Sequence, residues 1–209
     1  MSPARRTQAE RSAETRRRVL DAAVDCLVDR GYARTTVEEV ARRAGVSLGA
    51  ERHHFPSKIA LLTAACRHLL DGLAADYREP FAALPSGPGR ASAALRIWWQ
   101  SFQDPRSYAA LEMYFASRTD VALREAFTPI ADAHNASFQR GTALLFPEAA
   151  ASNPRFEVSW RTILDVLQGM AIGRVLFGEQ AVSAAQLRFL EELAEGACVV
   201  DRKAPGPAG

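Results

Sequence analysis

Residues 35–58, TTVEEVARRAGVSLGAERHHFPSK, decide the fold. Thr36 stands before the apolar Val37 and has Glu39 three places on, the pattern of a capping box, so a helix starts there. It runs to Ala44 and stops at Gly45, barely two turns later. Val46 and Ser47 lead into a second short helix, LGAERHHF, with Ser47 as its N-cap, and Pro56 and Ser57 restart the chain as another helix. Small Ala41 lets two helix axes cross closely, Gly45 supplies the positive φ of a tight turn, and Val46 fills the angle between them. On the second short helix Leu48, Gly49, Arg52 and His53 share one exposed side, while Phe55 points into the core. Glu51 shares the side of Phe55; it is expected to be partly buried and paired with Arg52 or Arg17, with displacement toward the exposed side as the alternative.

Upstream, Val19, Leu20, Ala23, Cys26 and Leu27 form one apolar helical face, and Gly31 follows as a stop. Charge is uneven: residues 1–58 hold 12 Lys/Arg against 8 Asp/Glu, whereas residues 59–209 hold 14 against 16. Six arginines (Arg5, Arg6, Arg11, Arg16, Arg17, Arg18) lie in the first 18 residues, a head suited to a polyanion. It reads as either a solvated tail or an arm along a minor groove.

Downstream, 14 of the 17 aromatic residues lie beyond residue 80, so the two parts do different work. A loop is expected over Pro80 to Gly89, PFAALPSGPG. Everything else reads as helix: an all-α chain of about nine helices, with residues 1–60 as one domain (1–12 a disordered basic arm), 61–202 as a second, and 203–209 as a disordered tail. Trp98, Phe102, Glu112, Met113, Phe115, His134, Trp160 and Met170 fall on helical faces as pocket candidates; such aromatics equally describe an ordinary core, and His134 a satisfied core histidine. Residues 156–177 are apolar almost all round and must be covered on more than one side. Gly169 and Gly173 there suggest close approach of another helix, and a last helix, Ala184 to Val199, presents Leu187, Leu190, Ala194 and Ala197.

Several classes are excluded or disfavoured. Three scattered cysteines, with no CxxC pair, argue against a disulfide framework or thiolate zinc site, and Cys26 fits a core role. His53 and His54 lie about 100° apart on a helix with no third ligand at metal spacing, so neither a metal nor a cofactor is expected. No apolar run approaches a membrane span, and the start lacks an export signal, which makes a cytoplasmic protein the expectation. No nucleophile elbow, phosphate loop, HExxH or acid set suggests an enzyme, although Glu112 with His134 could in principle form an acid/base pair.

Two short helices across a three-residue turn make a helix-turn-helix, whose second helix enters a major groove. Residues 15–70 resemble the DNA-binding domain of the TetR (tetracycline repressor) family of transcriptional regulators. The resemblance is carried by Gly31-Tyr32, Thr35-Thr36-Val37, Val40-Ala41, Ala44-Gly45-Val46-Ser47, Gly49 and His53-His54-Phe55-Pro56-Ser57-Lys58. It implies that Thr36, His53 and Lys58 hold the DNA backbone, with Thr35, Ser47, Leu48, Gly49 and Arg52 completing the DNA-binding set and Arg52 reading a guanine. Where the family usually has a basic residue, a buried apolar residue and a tyrosine, this chain has Leu48, Glu51 and Arg52. The family pairs its last two helices into a four-helix bundle, which implies a homodimer with Gly169, Gly173, Leu187, Leu190 and Ala194 at the interface. The implied function is a sequence-specific repressor, released from a palindromic operator by a small, largely apolar or aromatic effector. The helix from Lys58 to about Tyr77 would be the lever, packing through Ile59, Leu62, Cys66, Leu69 and Leu73. The alternative is a constitutive or architectural DNA-binding protein without an effector, and an enzyme with an appended DNA-binding domain comes last.

Overall fold

Thr7 opens the first helix with both halves of a capping box: its hydroxyl accepts from Glu10 N–H at 3.2 Å and its own N–H donates to the Glu10 carboxylate at 2.7 Å. The computed structural model describes residues 7–199. Among them are eleven α-helices and one short 3₁₀ turn, with no strand, so the all-α reading holds. The chain divides into two compact units. The first combines the chain up to Leu73 with Pro105–Asp132; the second combines Ala74–Asp104 with the chain from Ala133 onward.

In the first unit, α1 (Gln8–Arg34) buries Val19, Leu20, Ala23, Cys26 and Leu27, as the periodicity requires. Residues 8–12, expected within a disordered arm, are helical here because the Thr7 cap satisfies the first turn; residues 1–6 lie outside the described residues. The break at Gly31 takes φ +74 and ψ 174, and a side chain there would collide with the Glu112 carboxylate, so only glycine fits. α2 (Val37–Ala44) starts at Thr36, whose hydroxyl accepts from Glu39 N–H at 3.2 Å. The expected reciprocal bond is replaced, since the Glu39 carboxylate pairs with Arg42 at 2.7 Å and Arg30 at 3.0 Å.

Gly45 then turns the chain with φ +64 and ψ 39, its N–H donating to the Arg42 carbonyl at 3.2 Å and Val46 N–H to the Ala41 carbonyl at 3.0 Å. The Arg18 guanidinium donates to the carbonyls of Ala44 and Gly45, closing the helix end from outside. α3 (Leu48–His54) is capped by Ser47, whose hydroxyl accepts from Ala50 N–H, and ends at the buried Phe55. α4 (Lys58–Asp76) buries Leu62, Cys66, Leu69 and Leu73 as expected; Ile59 is only half-buried, and Leu61 and Leu70 complete the face. α7 (Pro105–Ser117) and the first part of α8 (Val121–Leu145) pack here too, through Met113, Leu123 and Phe127. Burial pushes the Cys66 thiol up to about 12, the mark of a core residue rather than a reactive one.

The second unit contains α5 (Arg78–Ala82), α6 (Arg90–Phe102), the rest of α8, α9 (Pro147–Ser152), α10 (Phe156–Phe177), a 3₁₀ turn at Glu179–Ala181 and α11 (Ala184–Ala197). α5 occupies the start of the stretch expected as loop, so the loop proper is shorter than Pro80 to Gly89. Its core gathers Leu95, Phe146, Phe156, Trp160, Ile163, Leu167 and Leu190. Arg96 pairs with Glu191 at 2.8 Å, and Ser92 donates twice to Glu195, tying α6 to α11. The expected tail at 203–209 lies outside the described residues.

Among the described residues no helix is long and apolar enough to cross a membrane, and no cluster of three or more His, Cys, Asp or Glu could hold a metal ion. Gly45→Ala is expected to cost about 1–2 kcal/mol, because the new Cβ meets left-handed backbone strain and lies 2.9 Å from the Arg18 guanidinium. Urea unfolding measures this; an unchanged midpoint would contradict the turn's role.

Candidate nucleic-acid interface

The short helix α3 can present side chains only because its two neighbours fix its ends. Leu48 is half-buried, whereas Gly49, Arg52 and His53 are exposed, as the helical spacing requires. Among the described residues the Arg52 guanidinium forms no ion pair, which leaves its fork of N–H donors available to an outside acceptor. His54 is half-buried; burial, then the charges of His53 and Arg16, hold its imidazole below the usual histidine range, favouring the neutral ring.

Flanking α3 are donors suited to phosphate. Thr36 and Ser47 are exposed at their helix starts, each engaged as a cap. Lys58 opens α4 with its Nζ 5.0 Å over the Tyr32 ring and 3.4 Å from the Ala33 carbonyl. Burial lowers its ammonium below the usual lysine range. Thr35 does not join this set: it is 0 % exposed, and its hydroxyl donates to the Gly31 carbonyl at 2.8 Å. Its work is to close the break in α1, which adjacency to Thr36 in the sequence concealed.

The arginine head is likewise partly spent inside the unit. Arg16 lies 5.4 Å over the Phe55 ring, Arg17 pairs with Glu14 at 2.8 Å and Asp21 at 3.2 Å, and Arg18 caps α2. The expected partnership of Glu51 therefore fails on both sides, for Arg17 has other acids and Arg52 faces solvent one position round the helix. Glu51 is 0 % exposed with neither carboxylate oxygen hydrogen-bonded. Burial pushes its carboxyl up, Arg52 pulls it partly back, and the like charge of Glu38 adds to the rise.

The pocket candidates do not gather as one lining within either unit. In the first unit Glu112 is exposed and accepts from Tyr32 N–H at 2.8 Å, Met113 is core, and Phe115 is 60 % exposed. In the second, Trp98 lies between Phe81 at 4.3 Å and Phe138 at 3.9 Å, with His134 6.1 Å from Phe138. Trp160 stacks on Phe146 as core, while Phe102 and Met170 pack half-buried against it. The buried Trp98 indole N–H has no hydrogen-bond partner.

The interface candidates also divide. Gly169 and Gly173 face open space, and Leu187 is half-buried. Leu190 and Ala194 are 4 % and 0 % exposed within the second unit's core, so they face inward. The outward apolar residues of α11 are Phe189 and Leu193, an i,i+4 pair one position round from the residues expected there; on α10 they are Val158, Val166, Ile172, Val175, Leu176 and Phe177.

Residues 19–65 match the family described as "Bacterial regulatory proteins, tetR family". The chain is 38 % identical over 125 residues to the HTH-type transcriptional regulator CymR of Pseudomonas putida, a match covering 60 % of this chain and 62 % of CymR, less than two thirds of that protein. It is 26 % identical over 188 residues to the HTH-type transcriptional regulator Rv2912c of Mycobacterium tuberculosis, covering 90 % and 96 % of the two chains. Among solved structures, the multidrug binding protein EbrR complexed with imidazole aligns with a TM-score of 0.62 at 23 % identity, over 92 % of this chain and 96 % of that one. GusR of Salmonella enterica aligns with a TM-score of 0.65 at 20 % identity, over 88 % and 95 %. These likenesses to solved structures establish the fold.

Glu51→Leu is expected to stabilise the protein at neutral pH by about 1–3 kcal/mol, by removing a buried, unsatisfied polar group. Because the folded carboxyl is raised above its unfolded range, the part of the wild-type penalty that comes from ionisation is absent below the ordinary carboxylate range and grows as pH rises through and above it. The gain from Glu51→Leu therefore shrinks on acidification. Urea midpoints at several pH values measure this; a variant less stable than wild type at neutral pH would contradict it.

Proposed function

We propose that the chain is a DNA-binding transcriptional regulator of the TetR family, a repressor whose twofold dimer occupies a palindromic operator and leaves it when a small, largely apolar or aromatic effector binds. The observation that carries this reading is the face of α3, where exposed Gly49, Arg52 and His53 stand together between the capped start of α2 and Lys58. Arg52 reads a guanine through O6 and N7, Leu48 and Gly49 approach the base edges, and Thr36, Ser47, His53 and Lys58 hold phosphates. Residues 1–60 are the DNA-binding part and 61–202 the effector and pairing part of a protein that works in the cytoplasm without a catalytic role or cofactor.

Pairing uses the outward faces of α10 and α11. Val166, Gly169, Ile172, Gly173 and Leu176 present an apolar strip with room for close approach at the glycines, and Phe189 and Leu193 extend it. Two copies bury these strips against each other as a four-helix bundle and so present two α3 helices to successive major grooves.

Effector action needs a ligand that binds two conformations unequally, by about 1–3 kcal/mol in typical systems. α4 supports a lever role, since it begins at Lys58 and its last residues belong to the second unit. The Phe81–Trp98–Phe138 stack supports an aromatic or apolar effector. EbrR offers a precedent, having been crystallised with imidazole, ethidium and proflavin.

Arg52→Ala is expected to lose about 1–3 kcal/mol on the selected operator and to relax preference at one base position. Lys58→Ala is expected to weaken all duplexes similarly and to reduce the salt slope by about one. Competition binding against random duplex at fixed salt measures both; equal affinity for operator and random DNA would point to an architectural binder. Phe189→Glu is expected to convert a dimer into the 22.8 kDa monomer in sedimentation and to reduce operator binding. A wild-type chain sedimenting only at that mass would contradict the pairing.

A further inference from the structure

Just past the break in α1 at Gly31, Tyr32 is held at both ends by acids that lie 80 and 88 residues further along the chain. Its N–H donates to the Glu112 carboxylate of α7 at 2.8 Å, and its phenol donates to Asp120, the residue before α8, at 3.1 Å. Between those two bonds the ring carries the Lys58 ammonium 5.0 Å from its centroid, and the carbonyl of the next residue, Ala33, accepts from Lys58 Nζ at 3.4 Å. All of these residues belong to the first unit. We propose that Tyr32 is the seat of Lys58 and that Glu112 and Asp120 are positioning residues for the DNA-backbone contact, so that the placement of α7 and of the start of α8 sets how firmly the lysine is aimed at a phosphate. This rests on the reading of Lys58 as a phosphate contact.

The nature of the lysine's partners makes the case. Among the described residues Lys58 forms no ion pair, and burial lowers its ammonium with no carboxylate pulling it back. An acid in that place would hold the cation but also neutralise it, in competition with phosphate. An aromatic face and a single carbonyl orient the ammonium while leaving its charge whole and N–H donors over for an anion. Orientation counts because a free lysine side chain gives up rotamer freedom when it binds, and a seated one has given up part of it already.

The seat in turn is fixed from α7 and α8. Gly31, at φ +74 and ψ 174, interrupts the helix, and the Glu112 carboxylate lies so close to that break that a Cβ on Gly31 would collide with it. Asp120 is anchored too, since its second oxygen caps α8 by accepting from Leu123 N–H at 3.0 Å. Simple charge and positioning predict opposite signs for these acids. On charge alone, removing a carboxylate favours a polyanion; as a positioning residue, its removal weakens the polyanion's grip.

Fluorescence anisotropy of the full-length protein on a mixed-sequence duplex over a range of salt tests this, because a phosphate contact carries no base information. Tyr32→Phe keeps the ring and the net charge and loses only the Asp120 bond. It should weaken binding about two- to fivefold, and Tyr32→Leu about three- to tenfold, as expected when a seated side chain must be ordered afresh. Glu112→Ala and Asp120→Ser should weaken it as well, the serine keeping a cap for α8 without the second oxygen. Glu112→Gln, which retains an acceptor for Tyr32 N–H, should lose little. In a Lys58→Ala background each of these losses should disappear, and Tyr32→Leu should lower the salt slope toward that of Lys58→Ala, whereas a merely structural effect, read as the urea midpoint, survives in both backgrounds. Tighter binding by Glu112→Ala or Asp120→Ser, unchanged binding by Tyr32→Phe, or losses that persist in full without Lys58 would each overturn the proposal. A Lys58→Ala chain that binds as tightly as the wild type would instead overturn the phosphate reading of Lys58, and the seat with it.

Discussion

One left-handed residue sets the geometry on which the exposed face of α3 depends. Gly45, at φ +64, lets α2 end and α3 begin within three residues, and the Arg18 guanidinium locks that turn by binding the Ala44 and Gly45 carbonyls. The lock makes α1 more than packing, because the helix whose apolar face holds Val19 and Leu20 also supplies, one position before them, the donor that fixes α3. Seven residues of helix would not persist alone in water. α3 persists because Ser47 satisfies its first turn and Phe55 anchors its last. A short rod held at both ends, with an exposed guanidinium on its outer face, has the form that the proposed groove reading requires.

Charge around that rod is sorted by engagement. Arg16, Arg17, Arg18, Arg30, Arg42 and Arg43 all have internal partners, whereas Arg52 forms no ion pair among the described residues. Much of an arginine-rich sequence is thus spent inside the unit, and Arg52 on α3 is exposed without an ion pair among the described residues. Glu51 is the counterpoint: an acid driven into the base of the same helix, costly to stability and without a structural partner. Natural chains tolerate such expense chiefly where function gains from it.

What was legible in the sequence was what local chemistry decides. Thr36, Gly45 and Ser47 each act on the backbone within a few residues, so their types and spacing announced the two helices and the turn. Thr35 and Glu112 were misread because their partners, Gly31 and Tyr32, become visible only once the break in α1 is built. Leu190 and Ala194 were placed on the wrong side of α11 because that helix carries two apolar stripes. Periodicity identifies stripes without saying which one meets α6 and α10. Glu51 was read as half of an ion pair because burial usually demands one; the partners went elsewhere for reasons that lie in tertiary structure.

Methylation interference on the selected operator tests the central claim, that α3 reads a major groove in two copies, most directly. Methylation of guanine N7, which projects into the major groove, should block binding at two symmetric half-sites about one helical turn apart, roughly 34–36 Å. Interference confined to adenine N3 in the minor groove, or none at any guanine, would contradict it.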